Sequence, residues 1–378
     1  MPQIHAARRG RAQEKIAALG ADAALITTLA NVRYLTGMVS SNAALLLPAD
    51  GPGVLATDSR YAEAAARACP DLDLVVERFI EPALASLAAA RGQRTVAFEA
   101  QEMTIERHQQ LSALDGGPAL VPLGRIVEQL RMVKDETEIA LLARACAITG
   151  EAFSAVLPGI APGRTEREFA VLLERAMIDL GAEAPAFDTI VASGPNGAIP
   201  HHAPAGRPFA AGDLITIDCG ARYGGYHADM TRTVALGEPA PWQRDIYELV
   251  AAAQRAGIEA ATAGADVSTV DAAARGLIAA AGHGNHFTHG LGHGVGLEVH
   301  EAPAIGYGRT GTLVHRVPVT VEPGIYLPGR GGVRIEDTLV VRDHRGGLGG
   351  PTPRASTDAG AAGSCEMLTT TTRELLVL

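Results

Sequence analysis

Apolar positions in residues 6–19 recur at helical spacing and stop at Gly20; the next run, residues 23–27, is short and continuous. This pattern predicts a helix followed by a buried strand. Residues 43–47 and 54–57 read as two more strands around the turn-rich Pro-Ala-Asp-Gly-Pro-Gly of residues 48–53. Residues 59–68 then have helical character, with Ser59 or Asp58 as N-cap. A strand over 72–76, a helix over 82–90 and a strand over 95–98 continue the alternation. Strands alternating with helices predict an α/β domain with a mixed or parallel sheet, over residues 1–122.

The pattern changes after a linker at 123–134. Residues 135–157 form one long amphipathic stretch, with Glu136 and Glu138 in its first turn and Pro158-Gly159 at its end. A second helix is predicted over 165–180, where Thr165 and Glu168 have the spacing of a capping box. Residues 187–236 read as strands and Gly/Pro turns. Helical spacing returns over 242–263 and 267–281, and 289–342 is again strand-rich. Two helical pairs, each followed by strands, predict an internally duplicated α+β domain over 135–378. Residues 344–366 are rich in Gly, Ala and Pro and poor in large apolar side chains, which predicts a surface loop before the closing segment 375–378.

Composition narrows the function classes. The 378 residues carry a net charge of −10, against the basic stripe of a nucleic-acid binder. Hydrophobic residues make up 47% but aromatics only 4%, so Ala, Leu, Val and Ile must fill the cores. Cys69, Cys146, Cys219 and Cys365 are far apart and form no Cys-x-x-Cys pair, as in a reducing cytosol. The opening MPQIHAARRGRAQEK has basic residues but no apolar stretch behind them, unlike a secretory signal. No run is read as reaching the roughly 18 apolar residues that span a bilayer; the Ala-rich stretch 272–281 is short and broken by Arg275. The expectation is a cytoplasmic protein with no membrane or nucleic-acid partner.

Five residues of the C-terminal half carry the chemistry. Asp218 closes the apolar run Leu-Ile-Thr-Ile-Asp-Cys-Gly of 214–220, and Asp229 opens Asp-Met-Thr-Arg. His293 lies in Gly-His-Gly-Val-Gly, Glu322 in Glu-Pro-Gly and Glu336 in Arg-Ile-Glu-Asp. Asp229 follows Asp218 by eleven positions, across Gly220 and Gly224-Gly225, so a hairpin would bring the two acids together. Glu322 and Glu336 are separated by Pro-Gly and Gly331-Gly332, a second hairpin-like return. Taken singly, each phrase reads as a turn. Taken together, Glu322 and Glu336 read as strand-interior acids among valines and Ile335, costly to bury without compensation. Two divalent cations would balance the four carboxylates and lower the pKa of a water held between them.

These phrases resemble those of the pita-bread metallopeptidases: methionine aminopeptidase, aminopeptidase P and prolidase. The similarity extends to residues 130–139, Leu-Arg-Met-Val-Lys-Asp-Glu-Thr-Glu-Ile, and to residues 31–37, Asn-Val-Arg-Tyr-Leu-Thr-Gly. The resemblance implies a ribonuclease-H-like N-terminal domain and a pita-bread catalytic domain. It implies that Asp218 and Asp229 chelate one metal, that His293 and Glu322 bind the other, and that Asp229 and Glu336 bridge both. Mn²⁺ suits mainly oxygen ligands, with Co²⁺, Fe²⁺ or Zn²⁺ as alternatives. His201, His289 and His300 then surround the substrate, with His289 or His201 steadying the oxyanion. Glu322 accepts the water proton, and Arg334 orients acids and protons. His202, His283 and His286 read as polar loop residues, Glu298 and Glu301 as acids at the surface or behind the ligands, and Cys219 as core. Gly290, Gly292, Gly294 and Gly296 lack the Lys-Ser/Thr of a P-loop, and there is no Gly-x-Ser-x-Gly elbow.

The N-terminal domain of about 120 residues points to the proline-specific branch of this resemblance, hence to proline-containing peptides and a homodimer. A dipeptidase must grip the free carboxylate after proline, commonly with an arginine. Some prolidases carry it in His-Glu-x-Pro-Arg; here the phrase is His-Glu-Ala-Pro-Ala, ending at Ala304. The expectation is therefore an Xaa-Pro aminopeptidase, with Xaa-Pro dipeptidase as the alternative, in which Arg207, Arg309 or a residue of a partner subunit takes the carboxylate. A binding protein of this fold that has lost catalysis is disfavoured by the complete ligand set.

Overall fold

The computed structural model describes residues 2–343 and 365–378. The chain divides into two compact units, Met1–Arg131 and Met132–Leu378.

The first unit is built on a six-stranded mixed sheet. Its order is Asp73–Val76, Val54–Thr57, Ala43–Pro48, Ala23–Ile26, Thr95–Phe98 and Ala119–Pro122. Fully apolar strands such as Ala23–Ile26 and Ala43–Pro48 are buried on both faces, as short continuous apolar runs require. Leu25, Leu46, Val54 and Val96 pack against Leu84, Ala85 and Ala88 of the helix Ile80–Ala90. The helix expected over 59–68 starts later, at Ala62–Ala68, because Asp58 does not cap it. Its carboxylate instead takes the Arg60 guanidinium at 2.7 and 2.9 Å and the Asn42 amide at 2.8 Å. Three short helices lack a sequence signal: Leu29–Thr36, Ile105–Ser112 and Ile126–Met132. The last of these lies within the stretch read as a linker.

The second unit repeats one design twice. Helices Glu136–Val156 and Glu166–Asp179 precede a three-stranded sheet ordered Met230–Ala235, Leu214–Cys219, Ile190–Ser193. Helices Pro241–Ala260 and Val267–Ala280 precede a five-stranded sheet ordered Glu301–Ile305, Gly292–Gly294, Pro318–Val321, Asp337–Val341, Cys365–Met367. Each half has its own apolar core, one around Phe153, Phe169 and Ile217, the other around Val250, Val270 and Val319. Both helices of the first pair start at capping boxes. Asp135 accepts from Glu138 N–H at 3.0 Å while Glu138 accepts from Asp135 N–H at 2.9 Å, and Thr165 and Glu168 do the same.

Contrary to the reading of the sequence, one helix, Glu136–Gly159, is long and apolar enough to cross a membrane. Its apolar face, with Ile148, Phe153 and Val156, packs into the first core. The predicted loop 344–366 lies outside the described residues up to 364. Residues 365 and 366 are in the strand Cys365–Met367, paired with Val341 and Val340. The closing segment returns to the first half, where the Ala235 N–H donates to the Leu376 carbonyl and the Leu378 N–H to the Ala235 carbonyl, both at 2.9 Å.

Candidate metal centre

The site lies where the two halves of the second unit meet. Strands Leu214–Cys219 and Met230–Ala235 pair antiparallel with Asp218 opposite Thr231. Asp229, one residue before its strand, therefore comes close to Asp218, as the hairpin reading requires. Gly220 permits this return, because a Cβ there would sit 1.8 Å from the Ala228 carbonyl oxygen. From the other half, Gly324–Leu327 and Gly331–Arg334 form the second hairpin. Glu322 and Glu336 are not inside strands. Each occupies the break between that hairpin and the pair Pro318–Val321 and Asp337–Val341. A break frees the backbone from the ladder and lets two acids from adjacent strands converge. The Glu336 N–H donates to the Thr231 carbonyl at 3.1 Å, joining the halves.

His293 comes from the short strand Gly292–Gly294. Its Nε2 lies 3.6 Å from Asp229 Oδ2 and 3.5 Å from Glu322 Oε1. Ligating atoms of Asp229, His293 and Glu336 fall within 4.8 Å of one another. All five candidate ligands line one cavity of about 900 Å³.

The electrostatics of this cluster suit a bound cation. Burial, then the charges of Glu336, Asp218 and Glu322, push the Asp229 carboxyl well above its usual range. Burial, then Glu322 and Asp218, do the same to Glu336. Glu322 is pushed up to about 8, chiefly by burial and then by Asp218. Burial lowers His293 to about 4, which leaves a neutral imidazole able to ligate. Asp218 Oδ2 accepts from the Arg334 guanidinium at 2.8 Å, while its buried Oδ1 has no hydrogen-bond partner among the described residues. An orphaned carboxylate oxygen beside three acids that repel one another fits a divalent cation site.

Around the acids runs a hydrogen-bonded support. Thr231 donates to Glu336 Oε2 at 2.7 Å and accepts from Arg334 Nε at 3.0 Å. Arg334 Nη1 donates to the Tyr326 hydroxyl at 2.9 Å and to the Pro200 carbonyl at 3.2 Å. Tyr326 lies 2.8 Å from His289 Nε2, and His289 Nδ1 lies 2.8 Å from the Gly290 carbonyl. A carbonyl only accepts, so Nδ1 carries the proton and Nε2 accepts from Tyr326. Burial, then Arg334, lowers His289 to about 4, consistent with this neutral tautomer.

His201 and His300 also line the cavity. The His300 ring stands edge-on to His293 with centroids 4.4 Å apart, and partial burial and His201 lower its pKa.

Other residues lie elsewhere. His202 pairs with Glu166 at 2.8 Å, and His283 faces His286 outside the cavity lining. Glu301 is no surface acid: it forms an ion pair with Lys134 at 2.7 Å, with side chains 5% and 1% exposed. Arg207 is held by Asp213 and Ser193, away from the cavity lining. Tyr326, Thr231 and Glu166 carry no signal in the sequence, since a strand tyrosine, a strand threonine and a first-turn glutamate all have ordinary structural readings.

This fold and this cluster define a two-domain metallopeptidase. Residues 140–343 match metallopeptidase family M24, and residues 8–133 match the creatinase/prolidase N-terminal domain. The chain belongs to the M24 family, and its second unit has the pita-bread fold of the prolidases. It is 44% identical over 219 residues to the Xaa-Pro dipeptidase of Pyrococcus furiosus, covering 58% of this chain and 63% of that one. The structure of an Xaa-Pro dipeptidase from Bacillus anthracis superposes with a TM-score of 0.90 at 33% identity, covering 99% and 100% of the two chains. That of an X-Pro aminopeptidase from Thermotoga maritima gives 0.85 at 36% identity, covering 96% and 97%.

Proposed function

We propose that this metallopeptidase is an Xaa-Pro dipeptidase that holds two divalent ions, Mn²⁺ by preference, on Asp218, Asp229, His293, Glu322 and Glu336. The observation that carries the metal assignment is the buried acid cluster with the unpartnered Asp218 oxygen. The likeness to Xaa-Pro dipeptidases supports the dipeptidase reading and reverses the preference for an aminopeptidase drawn from Ala304. The aminopeptidase reading keeps the support of the Thermotoga maritima likeness.

Bound ions supply an acidified water and polarise the scissile carbonyl. Glu322 takes the water proton on its carboxylate and hands it to the departing proline nitrogen. An Xaa-Pro amide has no N–H, so the chain needs no acceptor for one. His201 and His300 face the carbonyl as hydrogen-bond donors. His289, whose Nε2 is occupied by Tyr326, orders the support behind Arg334 instead. Arg334 fixes Asp218 and, through Thr231, Glu336. A homodimer and a cytoplasmic location belong to the same reading, and the mass in solution tests the first.

The test is paired hydrolysis by the Mn²⁺-loaded protein of Ala-Pro and Ala-Pro-Ala. Faster turnover of the dipeptide is expected. Cleavage of the tripeptide with little of the dipeptide would make the enzyme an aminopeptidase.

A further inference from the structure

Two histidines outside the catalytic cavity face each other. The Nδ1 atoms of His283 and His286 stand 3.2 Å apart, with ring centroids separated by 5.3 Å and planes tilted by 50°. Among the described residues neither ring makes another hydrogen bond or ion pair. Both residues are half-buried, so small solutes reach them.

The backbone fixes this encounter. The helix Val267–Ala280 ends just before Gly282, whose φ of 86° turns the chain back on the helix end. The His283 N–H then donates to the Ile278 carbonyl at 3.0 Å. The His286 N–H donates to the His283 carbonyl at 2.8 Å, closing a single tight turn. The next residue, Phe287, is buried, with the Arg275 guanidinium 4.0 Å from its ring centroid and 2.8 Å from its carbonyl. Both ends of the pair are therefore anchored before any ligand arrives, and little ordering entropy is left to lose on binding.

Two Nδ1 atoms this close suit either an N–H···N hydrogen bond or the two arms of a chelate. Nitrogens each about 2.1 Å from one metal ion lie about 3.0 Å apart at a right angle and about 3.4 Å apart at the tetrahedral angle. The observed 3.2 Å falls between these limits. Among the described residues no carboxylate or thiol joins the pair to make a larger ligand group. A pair of imidazoles without an acid prefers Zn²⁺, Cu²⁺ or Ni²⁺, whereas Mn²⁺ stands at the weak end of the series for nitrogen ligands.

We infer that His283 and His286 form a further metal site, separate from the acid cluster, which takes one borderline divalent cation of the Zn²⁺ type. Water completes its coordination shell, so the ion exchanges with solution. The inference does not depend on which peptide the enzyme cleaves.

The test is equilibrium dialysis of tag-free, chelator-treated protein against Zn²⁺ in slight excess, followed by elemental analysis, for the wild type, His283→Ala and His286→Ala. The wild type is expected to hold one Zn²⁺ per chain more than either variant, whatever number the acid cluster holds in all three. Zn²⁺ is also expected to raise the melting temperature of the wild type above that of the variants, because it binds the folded chain at one more place. Dialysis against Mn²⁺ should give equal counts in all three proteins, and the Mn²⁺-loaded variants should keep wild-type turnover. Equal Zn²⁺ counts in the wild type and both variants overturn the inference and leave the pair a hydrogen bond. A count lost in one variant alone also overturns it, since a two-armed chelate needs both imidazoles. A Mn²⁺ count that falls together with the Zn²⁺ count overturns it as well, because the histidines then serve the acid cluster.

Discussion

Asp218 gives one oxygen to Arg334 and keeps the other buried and unpaired, so its geometry depends on a single guanidinium. Arg334→Ala removes that contact together with those to Thr231 and Tyr326. Loss of such a supporting group lowers metal affinity by roughly 10- to 100-fold, which a Mn²⁺ titration of the variant measures directly. Tyr326→Phe is milder. The ring stays in place, and only the hydroxyl between Arg334 and His289 goes. A drop in kcat of about tenfold is expected, with an unchanged melting temperature in thermal unfolding. The proposed ligands were legible in the sequence because four acids and a histidine stood together in short phrases among glycines and apolar runs. Of the groups that support them, Arg334 was foreseen from the resemblance, and Tyr326 and Thr231 were not. Tyr326 sits in Gly-Ile-Tyr-Leu and Thr231 in Thr-Arg-Thr-Val, where strand propensity explains both residues without reference to a site.

Between elements, Glu166 does what no pattern announces. It is the first residue of Glu166–Asp179, where an acid ordinarily serves the helix dipole. Its side chain is wholly buried. One oxygen accepts from Ser193 N–H, Ser193 Oγ and Asn196, and the other lies against His202 and accepts from Ala205 N–H. The helix thereby clamps the segment that carries His201. Glu166→Ala strands these donors and costs about 1–3 kcal/mol in urea unfolding. Burial by itself raises the Glu166 pKa; the bonds from Ser193, Asn196 and His202 outweigh it and hold the carboxyl below the usual range. A depressed folded pKa adds stability above the unfolded value of about 4.3 and loses it as pH falls through the folded value. The stability gap between wild type and Glu166→Gln should therefore be full at neutral pH and shrink in acid. A gap that widens in acid would reverse the assignment.

The two hairpins of the site were foreseen from glycine spacing, but the strand breaks at Glu322 and Glu336 were not. Valine and isoleucine neighbours read as continuous strand, and only the tertiary crossing of two sheets interrupts them. The crossing is tight elsewhere too, since a Cβ on Gly292 would stand 2.0 Å from the Thr320 carbonyl oxygen. Gly292→Ala should cost about 3 kcal/mol in urea unfolding and displace His293.

For the whole molecule, the alternation of apolar runs disclosed an α/β unit and a twice-built α+β unit. Short helices such as Leu29–Thr36 escaped it, because eight residues hold too few turns for a period to show. The second unit meets itself through a cluster of buried acids, and the proposed ion binding at that junction would couple to folding. Ions that bind only the folded chain stabilise it by about 4 kcal/mol at a thousandfold excess over Kd. Chelation should lower the melting temperature of the whole protein, and added Mn²⁺ should restore it. Equal melting with and without chelator would separate the cluster from stability.

The most direct measurement is a calorimetric Mn²⁺ titration of chelator-treated protein, with elemental analysis of the product. The account predicts two ions per chain in the wild type and loss of both in an Asp229→Ala, Glu336→Ala double variant. No uptake by the wild type, or full uptake by that variant, would contradict it.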